Sequence, residues 1–485
     1  MNTLKLTYSR FFERYSTFAL WLCVGLAVLT LALLPLSYSY LSIKIPINLL
    51  YAALVIFLLF FWRDVKSIKA LRLPLSFMAI VVIMAYISLF FAVNVSETKH
   101  LIRQFLLEPS LFMIMSFLLT MRLKEAQLQI VWFLLCCAFF YHPLATMYDF
   151  YANGGGSLGY RAMLPHYHIP PTAYVFYLLF AFSFAYVSFL KTRGLIKCIF
   201  GIFTLLGIYA FICNGGRFGA LALITMMCAP FVFFTYKRKK IALLGLFLTL
   251  CLGGFALYHF SSSWQDRFNF HKIANNFMQV WHTPPSEMGQ FAGESCQTWV
   301  KCSPHSLNKH SDITMEYSSL ERISLLKSTL LAIADNPLRP NGYFFWQFPY
   351  NIQQIFPLDS LNHPFSLRDY GDTFISNNAH NHNYPSSIFF ELGLVGFVGF
   401  SLFVGYFFYA FYKANIDFSS SAFMDTMGVN VRHIFIGSIG LALLGLIVAN
   451  FFDCFPVREG QIFLFVLLGV FLGAKWHTKN NQKAR

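Results

Sequence analysis

Charge is what this chain has least of. Only 12% of its 485 residues are Asp, Glu, Lys or Arg, while 57% are hydrophobic, and a water-soluble fold of this length cannot bury so much apolar surface. A soluble domain is excluded, and lipid must be the solvent for most of the chain. No internal repeat and no low-complexity tract is evident, and no small-residue cleavage site follows the first apolar stretch behind Lys5, Arg10 and Arg14. The first absence removes the usual sign of a repeat-built transporter, and the second makes the first helix a retained one rather than a signal peptide.

What is present are windows such as 18–34, 199–213 and 460–474, almost wholly apolar and near bilayer length. The hydropathy pattern predicts an all-α polytopic membrane protein with about twelve spans near 17–36, 45–62, 73–93, 105–121, 126–147, 171–190, 198–213, 218–235, 241–260, 385–412, 433–451 and 459–474. The formal net charge of +15 raises nucleic acid, anionic lipid and phosphorylated substrate as partners, and the location of the charge decides among them. Lysines and arginines collect in alternate connections: Arg63, Lys66, Lys69 and Arg72; Arg122 and Lys124; Lys191, Arg193 and Lys197; Lys237 to Lys240; and the tail from Lys475 to Arg485. By the positive-inside rule those sides are cytoplasmic, both termini included. Much of the charge is thus topological and needs no nucleic acid. The expected organisation is spans one to nine over 1–260, one large outward loop over 261–384, and spans ten to twelve with a cytoplasmic tail over 385–485.

Within the outward loop, Ser318 and Ser319 are placed to cap a helix whose apolar positions Leu320, Ile323, Leu326 and Leu330 follow helical spacing. That helix should stop at Asp335-Asn336-Pro337, since proline cannot continue it and Asn341-Gly342 follows as a turn. The segment 264–315 shows no clear period and reads as an irregular insertion. Cys296 and Cys302 both fall in this loop, where an outward, oxidising setting would let them close a small disulfide ring or they can stay reduced.

The informative charges are those that persist on the outward side. Arg217 follows two glycines in the turn Asn214-Gly215-Gly216-Arg217 between two apolar spans, a good seat for an anion. A lone arginine there can instead snorkel to lipid headgroups. Company argues against that reading, because Arg161, Arg217 and Arg322 are all predicted on one side at similar depth, and forked guanidinium donors suit phosphate or pyrophosphate. His380 and His382, in the run His380-Asn381-His382-Asn383, hang just above the span that starts near Pro385. An imidazole titrates near neutral pH and suits a general base for a hydroxyl group. The His-x-His spacing, repeated in His166 and His168, also fits metal ligands, but no carboxylate or cysteine is clearly placed to complete a site. Loop histidines that only hydrogen-bond backbone are the plain alternative. Asp369-x-x-Asp372 offers a further candidate base or divalent-ion pair.

Three segments together resemble the O-antigen ligase and O-antigen polymerase superfamily of bacterial envelope enzymes, in the same order. His380-Asn381-His382-Asn383-Tyr384 running into Phe389-Phe390-Glu391-Leu392-Gly393-Leu394-Val395-Gly396 is similar to the family's His-Asn pair followed by a Glu-x-Gly-x-x-Gly helix. Asn214-Gly215-Gly216-Arg217-Phe218-Gly219-Ala220 resembles its Ser-Arg-Gly-Ala turn, with Gly216 standing where serine is usual. Glu321-Arg322 through Asp335-Asn336-Pro337-Leu338 resembles its arginine-led helix and terminal turn, and Arg161-Ala-Met-Leu-Pro-His166 resembles a shared segment less closely. The arrangement of the His pair and Arg322 is the more ligase-like one.

The resemblance implies a glycosyltransferase architecture of the GT-C-like kind in the bacterial inner membrane. The implied reaction is transfer of a glycan from undecaprenyl pyrophosphate to a sugar hydroxyl of lipid A-core oligosaccharide on the periplasmic face. His382 or His380 would be the base. Arg217 and Arg322 would stabilise the leaving pyrophosphate, and Arg161, Asn383 and His166 would help to bind substrate. Guanidinium groups would supply the charge, so no metal or other cofactor is expected. A polymerase or a protein O-oligosaccharyltransferase shares the donor and differs in the acceptor. A lipid-linked sugar transporter would instead need charged or broken helices near the midplane, and a membrane scaffold would not need arginines and histidines on one face.

Overall fold

The computed structural model describes residues 2–38, 42–92, 94–157, 160–162, 171–234, 239–260, 269–282, 317–343, 381–416, 431–453 and 457–483. Among them all regular structure is helical: α1 (Asn2–Leu33), α2 (Lys44–Phe61), α3 (Arg72–Ile87), α4 (Val95–Ile102), α5 (Glu108–Arg122), α6 (Glu125–Ala152), α7 (Pro171–Lys191), α8 (Gly194–Asn214), α9 (Arg217–Phe233), α10 (Lys239–Phe260), α11 (Phe270–His282), α12 (Tyr317–Asp335), α13 (Tyr384–Tyr412), α14 (Val431–Asn450) and α15 (Arg458–Lys483). Nine helical stretches among the described residues are long and apolar enough to cross a membrane, and Arg217–Phe233 is a shorter apolar helix. The protein is an all-helical, multi-pass membrane protein.

One of those stretches, Lys44–Phe91, holds both α2 and α3. The Thr30 hydroxyl of α1 donates to Pro46 O and Cys23 of α1 donates to Ala53 O, so α2 runs back along α1. The chain then passes through the 3-10 turns of Trp62–Leu71 into α3. Asp64, in those turns, pairs with Arg122 at the end of α5.

Small residues let the spans approach closely, as expected where lipid removes the hydrophobic drive between helices. Gly469 and Gly473 of α15 lie against Ser116 and Thr120 of α5, and Gly396 and Gly399 of α13 against Met84 and Ile80 of α3. Buried phenylalanines fill the remaining space, with Phe463 of α15 in edge contact with Phe176 and Phe180 of α7. Many of the chain's 58 phenylalanines thus fill the core.

One end of the bundle is held by ion pairs among connecting segments. Arg432 Nε donates to Glu125 Oε2 at 2.8 Å and its Nη2 to Leu123 O at 3.0 Å, while Glu125 Oε1 accepts from Val431 N and so caps α14. The opposite end carries the α6–α7, α8–α9 and α14–α15 turns, and the loop helices.

Two loop expectations change. Helix α12 ends at Asp335 as its spacing predicts, but it already includes Ser318 and Ser319. Within the segment read as irregular, Phe270–His282 is a helix. Its physical reason is local: Asn269 Oδ1 accepts from Lys272 N as a helix cap, and Phe270, Ile273, Phe277 and Val280 recur at helical spacing. Cys296, Cys302, His166, His168, His380, Asp369 and Asp372 lie outside the described residues.

Candidate active site at one end of the bundle

The turn between α8 and α9 is shaped by its glycines. Gly215 is left-handed, with φ 62°, and its N–H closes α8 on Ile212 O and Phe211 O. Gly216 caps α9 with backbone alone, and a Cβ there would lie 2.9 Å from Asn214 Oδ1. A side chain at this position would require the Asn214 amide to shift. Arg217 is then the first residue of α9, at a helix end whose N–H groups favour an anion. The segment 160–162 folds onto the same turn: Ala162 N donates to Cys213 O at 3.2 Å, and Asn214 Nδ2 to Ala162 O at 2.9 Å. Arg161 is thereby brought beside Gly215, its Cγ lying 4.0 Å from where a Cβ would stand. Tyr160 anchors the segment by donating to Asp149 Oδ2 at 3.0 Å. Burial and then that hydrogen bond raise its hydroxyl above the ordinary tyrosine range.

A second group forms around Asp453, in the turn between α14 and α15. Asp453 is buried, 3% exposed. Oδ1 lies 3.1 Å from His382 Nδ1, and Oδ2 lies 3.6 Å from Arg322 Nη2. Arg322 Nη1 also donates to Phe452 O at 3.0 Å. One buried acid thus ties a loop-helix arginine to a loop imidazole. A carboxylate can only accept, so it favours the tautomer that carries its proton on Nδ1, in which the lone pair of a neutral imidazole lies on Nε2. Sequence reading passed over Asp453; the available signal was a carboxylate left in a short turn on the side where Arg161, Arg217 and His382 were expected.

The two asparagines beside His382 build its support. Asn381 is fully buried; its Nδ2 donates to Thr329 Oγ1 and Ser386 Oγ, and its Oδ1 accepts from Ser387 Oγ and Asn383 N. Asn383 Oδ1 caps α13 by accepting from Ser386 N at 3.0 Å, and its Nδ2 donates to Phe451 O at 2.9 Å. The Asn383 amide, expected to touch substrate, is therefore engaged by the protein at both ends. Between them His382 adopts φ 56°, a left-handed conformation that costs a non-glycine residue about 1–2 kcal/mol. The flanking network holds it there.

Gly393 has φ 67° and breaks α13. A Cβ there would lie 2.5 Å from Leu338 O. The turn after α12 docks into this break: Leu394 N donates to Pro337 O at 2.8 Å, and Asn341 reaches Glu391 O and Phe390 O. Two segments singled out in the sequence thus meet, and the glycine of Glu391-Leu392-Gly393 is required by both backbone angle and proximity.

Helix packing relates the two groups. Gly445 of α14 sits against Met226 of α9 and Leu179 of α7, while Gly437, about two turns earlier, sits against Phe234 and Val187. Both α7 and α9 therefore run antiparallel to α14. Arg217 opens α9, nine residues before Met226, and α14 ends at Asn450, five residues after Gly445, with Asp453 in the turn that follows. Arg217 and Asp453 thus lie at the same end of two packed helices, whose axes are typically about 8–10 Å apart. No three His, Cys, Asp or Glu side chains gather as a metal-ion set among the described residues.

A bundle of membrane-crossing helices with arginines, an imidazole and a buried carboxylate at one end defines a multi-pass membrane protein with a polar site at its edge. Residues 202–401 match the family model of the O-antigen ligase, a match that supports the O-antigen ligase superfamily for this chain. In broad terms it supports an enzyme of O-antigen ligase or polymerase type. The matched stretch contains Arg217, Arg322, His382, Asn383 and Gly393, and leaves out Arg161 and Asp453. No curated protein matches the chain.

Proposed function

We propose that the protein transfers a glycan from undecaprenyl pyrophosphate to a sugar hydroxyl of lipid A-core oligosaccharide, at the periplasmic face of a bacterial inner membrane. The observation that carries this reading is the sharing of Asp453 by His382 and Arg322 at the end of the bundle where α9 begins with Arg217. His382 Nε2 takes the proton of the acceptor hydroxyl as its oxygen attacks the anomeric carbon. The bond from that carbon to the pyrophosphate oxygen breaks, and the electron pair leaves with the lipid diphosphate, in one displacement that inverts configuration. Asp453 keeps Nδ1 protonated and offsets the imidazolium charge.

Charge that gathers on the departing diphosphate meets Arg217, the N–H groups at the start of α9, and Arg161. These interactions strengthen as the bond breaks and so favour the transition state over the ground state. Arg322 spends Nη1 on Phe452 O and faces Asp453 through Nη2. A guanidinium carries five N–H donors, so it can compensate the carboxylate and still address a phosphate oxygen. Asn383 contributes by fixing the loop that presents His382, and His380 and His166 are proposed as auxiliary groups. Confinement of both lipid-anchored substrates to one leaflet supplies proximity. The basic connections at the Arg432 end support a cytoplasmic assignment for that side.

The test is a strain lacking the protein. Core lipopolysaccharide without long chains, with lipid-linked polymer accumulating, is expected. Core bearing a single repeat would make the protein a polymerase instead.

A further inference from the structure

Helix α12 is stitched along its length to one end of the bundle. Arg322 reaches Phe452 O, Thr329 accepts from Asn381, the turn at Pro337 and Leu338 seats on Gly393, and Tyr343 N donates to Ser88 Oγ beyond α3. Contacts spaced this way lay α12 across the helix ends rather than upright above them. Helix α11 packs on α12 through Asn276 and Val280, both 0% exposed. Lys327 of α12, itself buried, joins the two by donating to Val280 O at 2.8 Å and Trp281 O at 2.9 Å. Burial holds that ammonium below the usual lysine range. Helix α11 therefore rests at the level where the spans end.

Its remaining apolar face is left exposed. Phe270, Phe277, Met278 and Trp281 are 41%, 43%, 53% and 45% exposed, and at 100° per residue they form one stripe beside the buried edge. Phe277 and Trp281 stack at 5.2 Å. The charged or chargeable residues of α11 are His271, Lys272 and His282, and the helix has no acidic residue. Aromatic side chains on one face with cationic groups and no acid on the other are what a helix lying in a lipid headgroup layer requires.

We infer that α11 is an interfacial helix: its Phe270, Phe277, Met278 and Trp281 stripe is sunk into the headgroup layer of the leaflet at the Asp453 end, holding α12 and Arg322 at the membrane surface. A partner protein on the same stripe is the competing occupant. The experiment places the photo-crosslinker benzoylphenylalanine at Phe277, and separately at Asn275 on the polar side, in the full chain. Each variant is irradiated in nanodiscs of phosphatidylethanolamine and phosphatidylglycerol, and adducts are read by mass. A phospholipid adduct from Phe277, lost when the crosslinker sits at Asn275, is the expected result. Equal lipid adducts from both positions, no lipid adduct from Phe277, or a protein adduct from Phe277 in native membranes with none to lipid would each overturn it. Phe277 is exposed and Asn275 half-buried, and thermal unfolding equal to that of the unaltered protein verifies the fold. The outcome is independent of glycan transfer.

Discussion

Replacing Asp453 with asparagine keeps the shape of the turn and removes the charge that His382 and Arg322 share. The amide can turn its NH2 group toward Nδ1, which places the imidazole proton on Nε2 and removes the lone pair that the acceptor hydroxyl needs. General-base action of this kind contributes roughly 10²–10⁴-fold, so Asp453→Asn is expected to slow transfer by about that factor. The structural cost is smaller. Arg322 is 26% exposed on its side chain and keeps Phe452 O, and loss of a buried polar partner costs about 1–3 kcal/mol. The protein should therefore still insert, and its abundance in membranes reports on that directly. The assay is reconstituted transfer from lipid-linked glycan to purified acceptor, measured for Asp453→Asn, His382→Ala and the double variant. Because the carboxylate acts through the imidazole, the double variant should be no slower than His382→Ala alone. Rate losses that multiply would mean that the two residues act separately, and wild-type turnover in Asp453→Asn would refute the reasoning.

Arg217→Lys is expected to insert normally and lose most transfer activity, because an ammonium cannot grip two phosphate oxygens as a fork; membrane abundance and turnover measured together test this. Gly393→Ala meets both a φ of 67° and the Leu338 carbonyl, so the turn at Pro337 should lift from α13. A cost of about 1–3 kcal/mol is expected, seen as a lower Tm and faster proteolysis in the loop; an unchanged Tm would contradict the docking. Activity is expected to survive EDTA, since arginines supply the positive charge, and loss with rescue by a divalent ion would reverse that assignment.

The spans were legible because membrane-crossing helices carry their signal locally, in runs of apolar residues that need no partner to be recognised. The stop of α12 was legible for the same reason, through Pro337. Asp453 was not, because a single carboxylate in a short turn is a faint mark: its meaning comes from His382, 71 positions earlier, and Arg322. Sequence spacing does not reveal such a pairing. Helix α11 differs, since Asn269 as cap and the repeat of Phe270, Ile273, Phe277 and Val280 were present. They went unread because a short amphipathic pattern is diluted when a segment as long as 264–315 is read as one. Asn383 is expected from the sequence to touch substrate, yet its amide bonds to Ser386 N and Phe451 O of the protein, which only the fold discloses.

The most direct test is an experimental structure with undecaprenyl pyrophosphate bound. The diphosphate is expected at the start of α9, within hydrogen-bonding distance of Arg217, with His382 Nε2 facing the space where the acceptor hydroxyl must enter. A diphosphate seated at the Arg432 end of the bundle, or one that leaves Arg217 and His382 on separate surfaces, would contradict the account.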